Sequence, residues 1–168
     1  MSRQNVYRLL ALLAVLAVAG MIFFFSAQSA KSSSNMSGRI TEALLRIFVP
    51  GYDALPQSTQ KTYKTRIEHV VRKLAHFFEY VLLALWATIC LHVWFPKLRP
   101  RAYTLLGWLL SVLYAGTDEL HQRFVKGRGP ALADVGIDAL GALAGALLAM
   151  LMIALLAWHI ANKQKRKS

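Results

Sequence analysis

Apolar residues in this chain gather into four long runs separated by polar stretches. The first, Val6–Phe25, is broken only by Arg8; the second extends from about Leu74 to Phe95, the third from Ala102 to about Gln122, and the fourth from about Ala133 to Ile160. None alternates apolar and polar positions with period two, and their Ala/Leu-rich composition favours helix over strand. A bilayer hydrocarbon core about 30 Å thick is crossed by about 20 apolar residues rising about 1.5 Å each. The pattern therefore predicts an all-α, polytopic membrane protein: a bundle of four transmembrane helices in one domain over residues 1–168, with an outer loop at 26–73 and a tail at 161–168. Arg3, Arg8 and the small residues Ala27-Gln28-Ser29-Ala30 also resemble a secretory signal. The run from Leu9 to Phe25 is longer than the about 7–15 residues of a signal core, so a retained anchor is expected.

Two short helices are predicted in the outer loop. Ser26, Ser29, Ser32, Ser33, Ser34 and Ser37 form a linker of flexible composition. In Gly38–Val49, the residues Ile40, Leu44, Ile47 and Phe48 fall at helical spacing, with Arg39, Glu42 and Arg46 elsewhere. That is the pattern of a short amphipathic helix lying on the membrane surface. Pro50-Gly51 and Pro56 signal turns. Ser58 is placed to cap a second, basic helix whose Tyr63, Ile67 and Val70 stripe leads into the second span. Packing against the rim of the bundle is the competing expectation for both.

Composition agrees with the pattern. Hydrophobic residues make up 56% of the 168 and charged ones only 17%, against about 45–50% and about 25% in soluble domains. This argues against a soluble enzyme or transcription factor, and the single cysteine, Cys90, excludes a disulfide scaffold. The 20 Lys and Arg against 8 Asp and Glu give a net charge of +12, which admits nucleic acid, an anionic membrane or an acidic substrate as partner. Lys97, Arg99 and Arg101 crowd one short connection, Lys163, Lys165, Arg166 and Lys167 the tail, and Arg3 and Arg8 the head. Clusters flanking spans fit a membrane and not a nucleic-acid stripe. By the positive-inside rule they place both termini in the cytoplasm of a cell-membrane protein.

The acids carry more chemistry. Glu79, Asp118, Glu119, Asp134 and Asp138 lie in or against the spans, where ionisable groups are costly and commonly functional. At the helical rise, Asp118 lies about 24 Å from Ala102, Glu79 about 24 Å from Phe95, and Asp138 about 33 Å from Ile160. All three thus fall near the outer ends of their helices, as do Ser26, Gln28 and Ser29 after the first span. Lys73, His76 and Tyr80 share a helix side with Glu79; Tyr114, Asp118, His121 and Gln122 share another; Asp134, Asp138, Gly141 and Gly145 a third. Gly141 and Gly145, with Ala142, Ala144 and Ala146, allow close helix approach. The expectation is one polar pocket roofed by Arg123, Lys126 and Arg128. A purely structural network is the alternative, although interhelical polar contacts in membranes average only about 0.6 kcal/mol.

These residues resemble the VanZ-like family, named for a teicoplanin-resistance protein. The resemblance rests on Phe25-Ser26-x-Gln28-Ser29, Lys73-x-x-His76-x-x-Glu79-Tyr80 and Tyr114-x-x-x-Asp118-Glu119-x-His121-Gln122-x-Phe124. Gly127-Arg128, Asp134-Val135-x-x-Asp138 and Gly141-x-x-x-Gly145 complete it, over about residues 21–150. Asp138 stands where such proteins often carry Asn, and Gly129-Pro130 where small polar residues are common. The resemblance implies a multi-pass protein of the cell envelope linked to glycopeptide tolerance, and no settled biochemical mechanism comes with it.

Three readings of the pocket follow. In the first it binds or processes an anionic, lipid-linked envelope molecule: Arg128, Lys73, Lys126 and Arg123 meet phosphate, with Arg128 the best candidate because guanidinium binds oxygens bidentately. The pairs Glu79 with His76 and Asp118 with His121 would supply acid/base chemistry. Tyr80, Glu119, Gln122, Asp134, Asp138, Ser26 and Gln28 complete the binding set, and pairing of Arg128 with Asp134 is the structural alternative. In the second, Asp118, His121 and Glu79, with His76 and Asp134 nearby, hold a metal, on the carboxylate-x-x-His pattern of helical bundles. In the third there is no chemistry, only association with another membrane protein. Ser26 and Ser29 have no base close in sequence, so a serine-hydrolase triad is not supported. Whether the protein is an enzyme is left open. Cys90 is expected as a packed thiol near mid-span and His92 and His159 as interfacial residues; His69 has no evident partner.

Overall fold

The computed structural model describes residues 2–129 and 132–166, so Pro130 of the loop and Lys167 of the tail cluster lie outside the described residues. Five α-helices follow one another: α1 Arg3–Ser26, α2 Ala30–Phe48, α3 Gln57–Trp94, α4 Pro100–Gln122 and α5 Leu132–Lys165, with a 3₁₀ turn Tyr52–Ala54 between α2 and α3. No strand occurs among the described residues.

Among the described residues three helices are long and apolar enough to cross a membrane: α1, α3 and α5. Only 17%, 28% and 28% of their apolar windows are buried within the protein. Large side chains such as Leu13, Leu16, Leu147 and Leu151 point outward. The interior is instead lined by small residues, Ala84, Ala87, Ala115, Ala142, Ala146 and Ala149, around Ile22 and Tyr80. Apolar exposure on this scale is untenable in water and suits lipid. The fourth long helix, α4, has 23 residues but is less apolar, because Thr104, Ser111, Asp118 and Glu119 occupy its buried face.

Long helices that follow one another in the chain run antiparallel, so α3 and α5, like α1 and α4, run parallel. At one end, here called the basic end, the Arg8 side chain donates to the Val93 carbonyl at 3.4 Å and Trp94 Nε1 donates to the Arg8 carbonyl at 3.2 Å. The one charge inside the first apolar run is thereby spent on an open carbonyl at the C-terminus of α3. At the opposite end Ser26 of α1 meets Asp118 of α4, and Lys73 of α3 meets Asp134 of α5. The tightest seam is α3 on α5. A Cβ on Gly141 would land on the Phe77 carbonyl oxygen, and one on Gly145 on that of Val81.

The outer loop departs from expectation in three ways. The serine-rich segment is helical: Ser29 caps α2 by accepting from the Ser32 amide at 3.3 Å. Ser34 and Ser37 are held by side chains of α3, so this is no flexible linker. Secondly, the basic helix and the second span are one 38-residue helix. Nothing from Gln57 to Trp94 breaks it, since the segment holds neither Gly nor Pro. Its N-cap position is Pro56, and Ser58 caps nothing. At about 1.5 Å per residue, α3 measures about 57 Å, well beyond a bilayer core of about 30 Å.

Thirdly, α2 does not lie alone on a surface but docks lengthwise and antiparallel on the basic half of α3. The Arg72 guanidinium donates to Ser34 Oγ at 2.9 Å, Ser37 Oγ to Glu68 Oε1 at 3.3 Å, and Lys64 Nζ to Glu42 Oε2 at 3.2 Å. The helix packs through Ser37, Gly38, Thr41 and Leu45, because small residues permit close approach. Its other apolar face, with Ile40, Ile47 and Phe48, stays exposed, and Phe48 is 74% accessible.

Candidate functional site

The C-terminal ends of α1 and α4, the middle of α3 and the start of α5 converge opposite the basic end. Residue by residue, the first group is a closed one. Ser26 Oγ donates to Asp118 Oδ2 at 2.7 Å, and Gln122 Nε2 donates to the same oxygen at 2.8 Å and to Ser26 Oγ at 3.2 Å. Ser26 is fully buried and Asp118 only 5% exposed. This buried triad joins α1 to α4. Beside it, the Tyr114 hydroxyl donates to the Ala19 carbonyl at 2.7 Å.

His121 does not join Asp118. Its ring stacks on Phe23, with centroids 4.8 Å apart and planes 17° from parallel. Its Nδ1 is buried without a hydrogen-bond partner among the described residues. The expected Asp118–His121 acid/base pair is therefore not formed, because the helix turn that carries His121 faces α1's aromatic side. Glu119 is buried on α4.

On α3, His76 Nδ1 and Glu79 Oε2 are 3.3 Å apart, within ion-pair reach but not aligned for a hydrogen bond. Lys73 Nζ lies 3.2 Å from Asp134 Oδ1. Asp134 is thus matched by lysine and not by Arg128. Deeper in, the Tyr80 hydroxyl and Asp138 Oδ1 have no hydrogen-bond partner among the described residues, although Tyr80 is fully buried and Asp138 is 4% exposed. Asp138 and His76 lie close enough to feel each other's charge. Unsatisfied polar atoms are uncommon in folded interiors.

Above these groups opens a cavity of about 160 Å³ between α2, α3 and the end of α1. Phe25, Met36, Ile40, Val71 and Ala75 make its apolar walls; Gln28, Arg72, His76, Glu79 and Arg128 supply the polar ones. Gln28 also accepts from Ser32 Oγ at 3.4 Å.

Arg128 reaches the cavity because of the turn before it. Gly127 has φ +79°, the left-handed region that glycine adopts freely, and a Cβ there would sit 3.2 Å from that of Ala30. The Ala30 amide donates to the Lys126 carbonyl at 3.2 Å, which ties the loop to α2. The Arg128 guanidinium then donates to the Phe25 carbonyl at 3.2 Å, at the C-terminal end of α1. Burial, and next the neighbouring Arg72 guanidinium, push Arg128 below the ordinary arginine value, while Asp118, Glu79 and Glu119 pull it up. Two guanidinium groups thus line one cavity, Arg72 held also by Glu68 at 3.0 Å.

The expected roof is only partly present. Arg128 lines the cavity, whereas Arg123 and Lys126 are exposed and do not. Their place is taken by Arg72, which sequence reasoning passed over. Its spacing to His76 and Glu79, i, i+4 and i+7, was a legible signal. For a metal, no three His, Cys, Asp or Glu side chains gather as a ligand group among the described residues. Asp118 is bound to Ser26 and Gln122, His121 is stacked on Phe23, and Glu79 sits with His76, so the expected ligand set is dispersed.

A family model described as VanZ/LLP1 matches residues 11–154, from the third turn of α1 to the second half of α5. No curated protein and no solved structure matches the chain.

Proposed function

The chain belongs to the VanZ/LLP1 family, and from that premise we propose that it binds an anionic, lipid-linked molecule of the cell envelope in the cavity between α2 and α3. One observation carries this reading: Arg72 and Arg128 face apolar walls of Phe25, Met36, Ile40, Val71 and Ala75 across a single cavity. A phosphate between two guanidinium groups makes charge-assisted, bidentate bonds. An alkyl segment leaving that phosphate meets a wall it does not need to dehydrate. A cavity of about 160 Å³ is close to the size that accepts a benzene ring, about 150 Å³, so it takes a phosphate or a short stretch of chain while the remainder stays in lipid.

In this reading the protein sits in the cell membrane with α1, α3, α4 and α5 all crossing it and both termini cytoplasmic. The cavity then faces outward, where lipid-linked envelope precursors and glycopeptides meet, and drug tolerance is the expected phenotype. His76 and Glu79 lie in the wall beside the phosphate position, and any proton transfer to the ligand would pass through them.

The test is native mass spectrometry of the purified full chain with its co-purifying lipids. Retention of an anionic, lipid-linked species that falls at least about tenfold in Arg128→Ala, the factor that about 1.4 kcal/mol of lost binding gives, supports the reading. Retention of bulk phospholipid alone, indifferent to Arg128→Ala, sinks it. A drug-tolerance assay on Glu79→Ala, with membrane abundance checked, separates a working site from a structural network.

A further inference from the structure

The seam between α3 and α5 closes at Gly141 and Gly145, and it opens toward the basic end. Ala149 is the last small buried residue of α5. Beyond it Met152 and Leu156 face outward, at 49% and 61% exposure. What remains between the helices is a groove of about 920 Å³, walled by Ile89 and Val93 of α3 and Ile153 and Leu156 of α5, with His92 and His159 at its sides. That volume is at the upper end of small-ligand sites, about 300–1,000 Å³.

We propose that this groove seats an acyl chain of an anionic phospholipid whose headgroup rests on the basic end. Its length fits: its α5 wall from Met152 to Ile160 is about 12 Å at the helical rise, most of one leaflet of a hydrocarbon core about 30 Å thick. Charge is the stronger argument. Arg3, Arg8, Lys97, Arg99, Arg101 and Lys163 gather at this end, whereas all 8 acidic residues belong to the outer loop or the opposite end. Arg8 is engaged by the Val93 carbonyl and lies over Trp94. For the others no acidic side chain stands at this end of the chain, and in a bilayer the lipid phosphates would supply the counter-charge. Lys163 stands one turn beyond His159 on the same side of α5, so it continues the groove into the headgroup region.

Phosphatidylglycerol and phosphatidylcholine, titrated separately onto the detergent-purified full chain and read by native mass spectrometry, test this. Phosphatidylglycerol should be retained about fivefold better, the scale expected for one basic residue near an anionic headgroup. Ala157→Trp, which fills the groove from an exposed position, and Lys163→Gln should each erase that preference, while Lys163→Arg keeps it. Helicity and elution volume confirm that the variants are folded. Equal retention of the two lipids overturns the proposal, as does a preference that survives both Ala157→Trp and Lys163→Gln. A preference lost only in Arg128→Ala assigns the lipid to the other cavity and overturns it too. A two-chain mass that Ala157→Trp dissolves gives the groove to a second copy and likewise overturns it.

Discussion

Asp118 and His121 stand one helical turn apart on α4, yet they behave differently because their neighbours differ. Asp118 accepts from Ser26 and Gln122 in a buried setting. Asp118→Ala would leave the Ser26 hydroxyl without its acceptor and Gln122 with Ser26 alone, at a cost of about 1–3 kcal/mol. Thermal unfolding in detergent should show the loss, and Asp118→Asn should show less of it because the amide oxygen still accepts. His121 makes a ring stack with Phe23, so His121→Phe should keep both stability and lipid retention near wild type. A large loss of lipid in His121→Phe at normal stability would return it to the site. Arg72 and Arg128 reach one cavity from positions distant in sequence, one on a helix and one after a left-handed glycine.

At the scale of elements, the α3–α5 seam depends on two missing methyl groups. Gly145→Ala pushes a Cβ into the Val81 carbonyl oxygen, and overpacking of this kind costs about 1–3 kcal/mol. Gly136 lies on the same helix with nothing within 4 Å of its would-be Cβ. Gly136→Ala should be neutral or stabilising by up to about 1 kcal/mol, the ordinary helix preference for alanine. Comparing the two thermal midpoints checks the argument, and equal effects would refute it. The serine-rich start of α2 illustrates the opposite case: intrinsic preference is against helix, and contacts with Arg72 and Glu68 override it.

For the whole molecule, topology turns on α4. If α4 crosses the membrane as α1, α3 and α5 are able to, then Lys97 and Lys126 stand on opposite faces. In a Cys90→Ser background, Lys97→Cys and Lys126→Cys should react with a membrane-impermeant thiol reagent from opposite sides of sealed cells or vesicles. Arg3→Cys should react from the same side as Lys97→Cys. Labelling of Lys97 and Lys126 from one side would show that α4 does not span. The helix register makes this prediction sharp, because Arg8 touches Val93 near the end of α3 while Ser26 touches Asp118 near the end of α4, at the other end of α1.

The apolar runs by themselves determined that the chain is helical and, but for the first half of α3, where its long apolar helices lie, since length and composition decide what lipid will accept. Counting along those runs was also enough to place Ser26, Glu79, Asp118 and Asp138 toward one end, because the helical rise is constant. Which of them touch was decided only by tertiary packing. A position on a helix face is shared by several candidates, and the close seam at Gly141 and Gly145 and the turn at Gly127 select among them. That selection bound Asp118 to Ser26 rather than to His121 and gave Lys73 rather than Arg128 to Asp134. It also brought Arg72 beside Arg128, a meeting of two distant segments that no local spacing records.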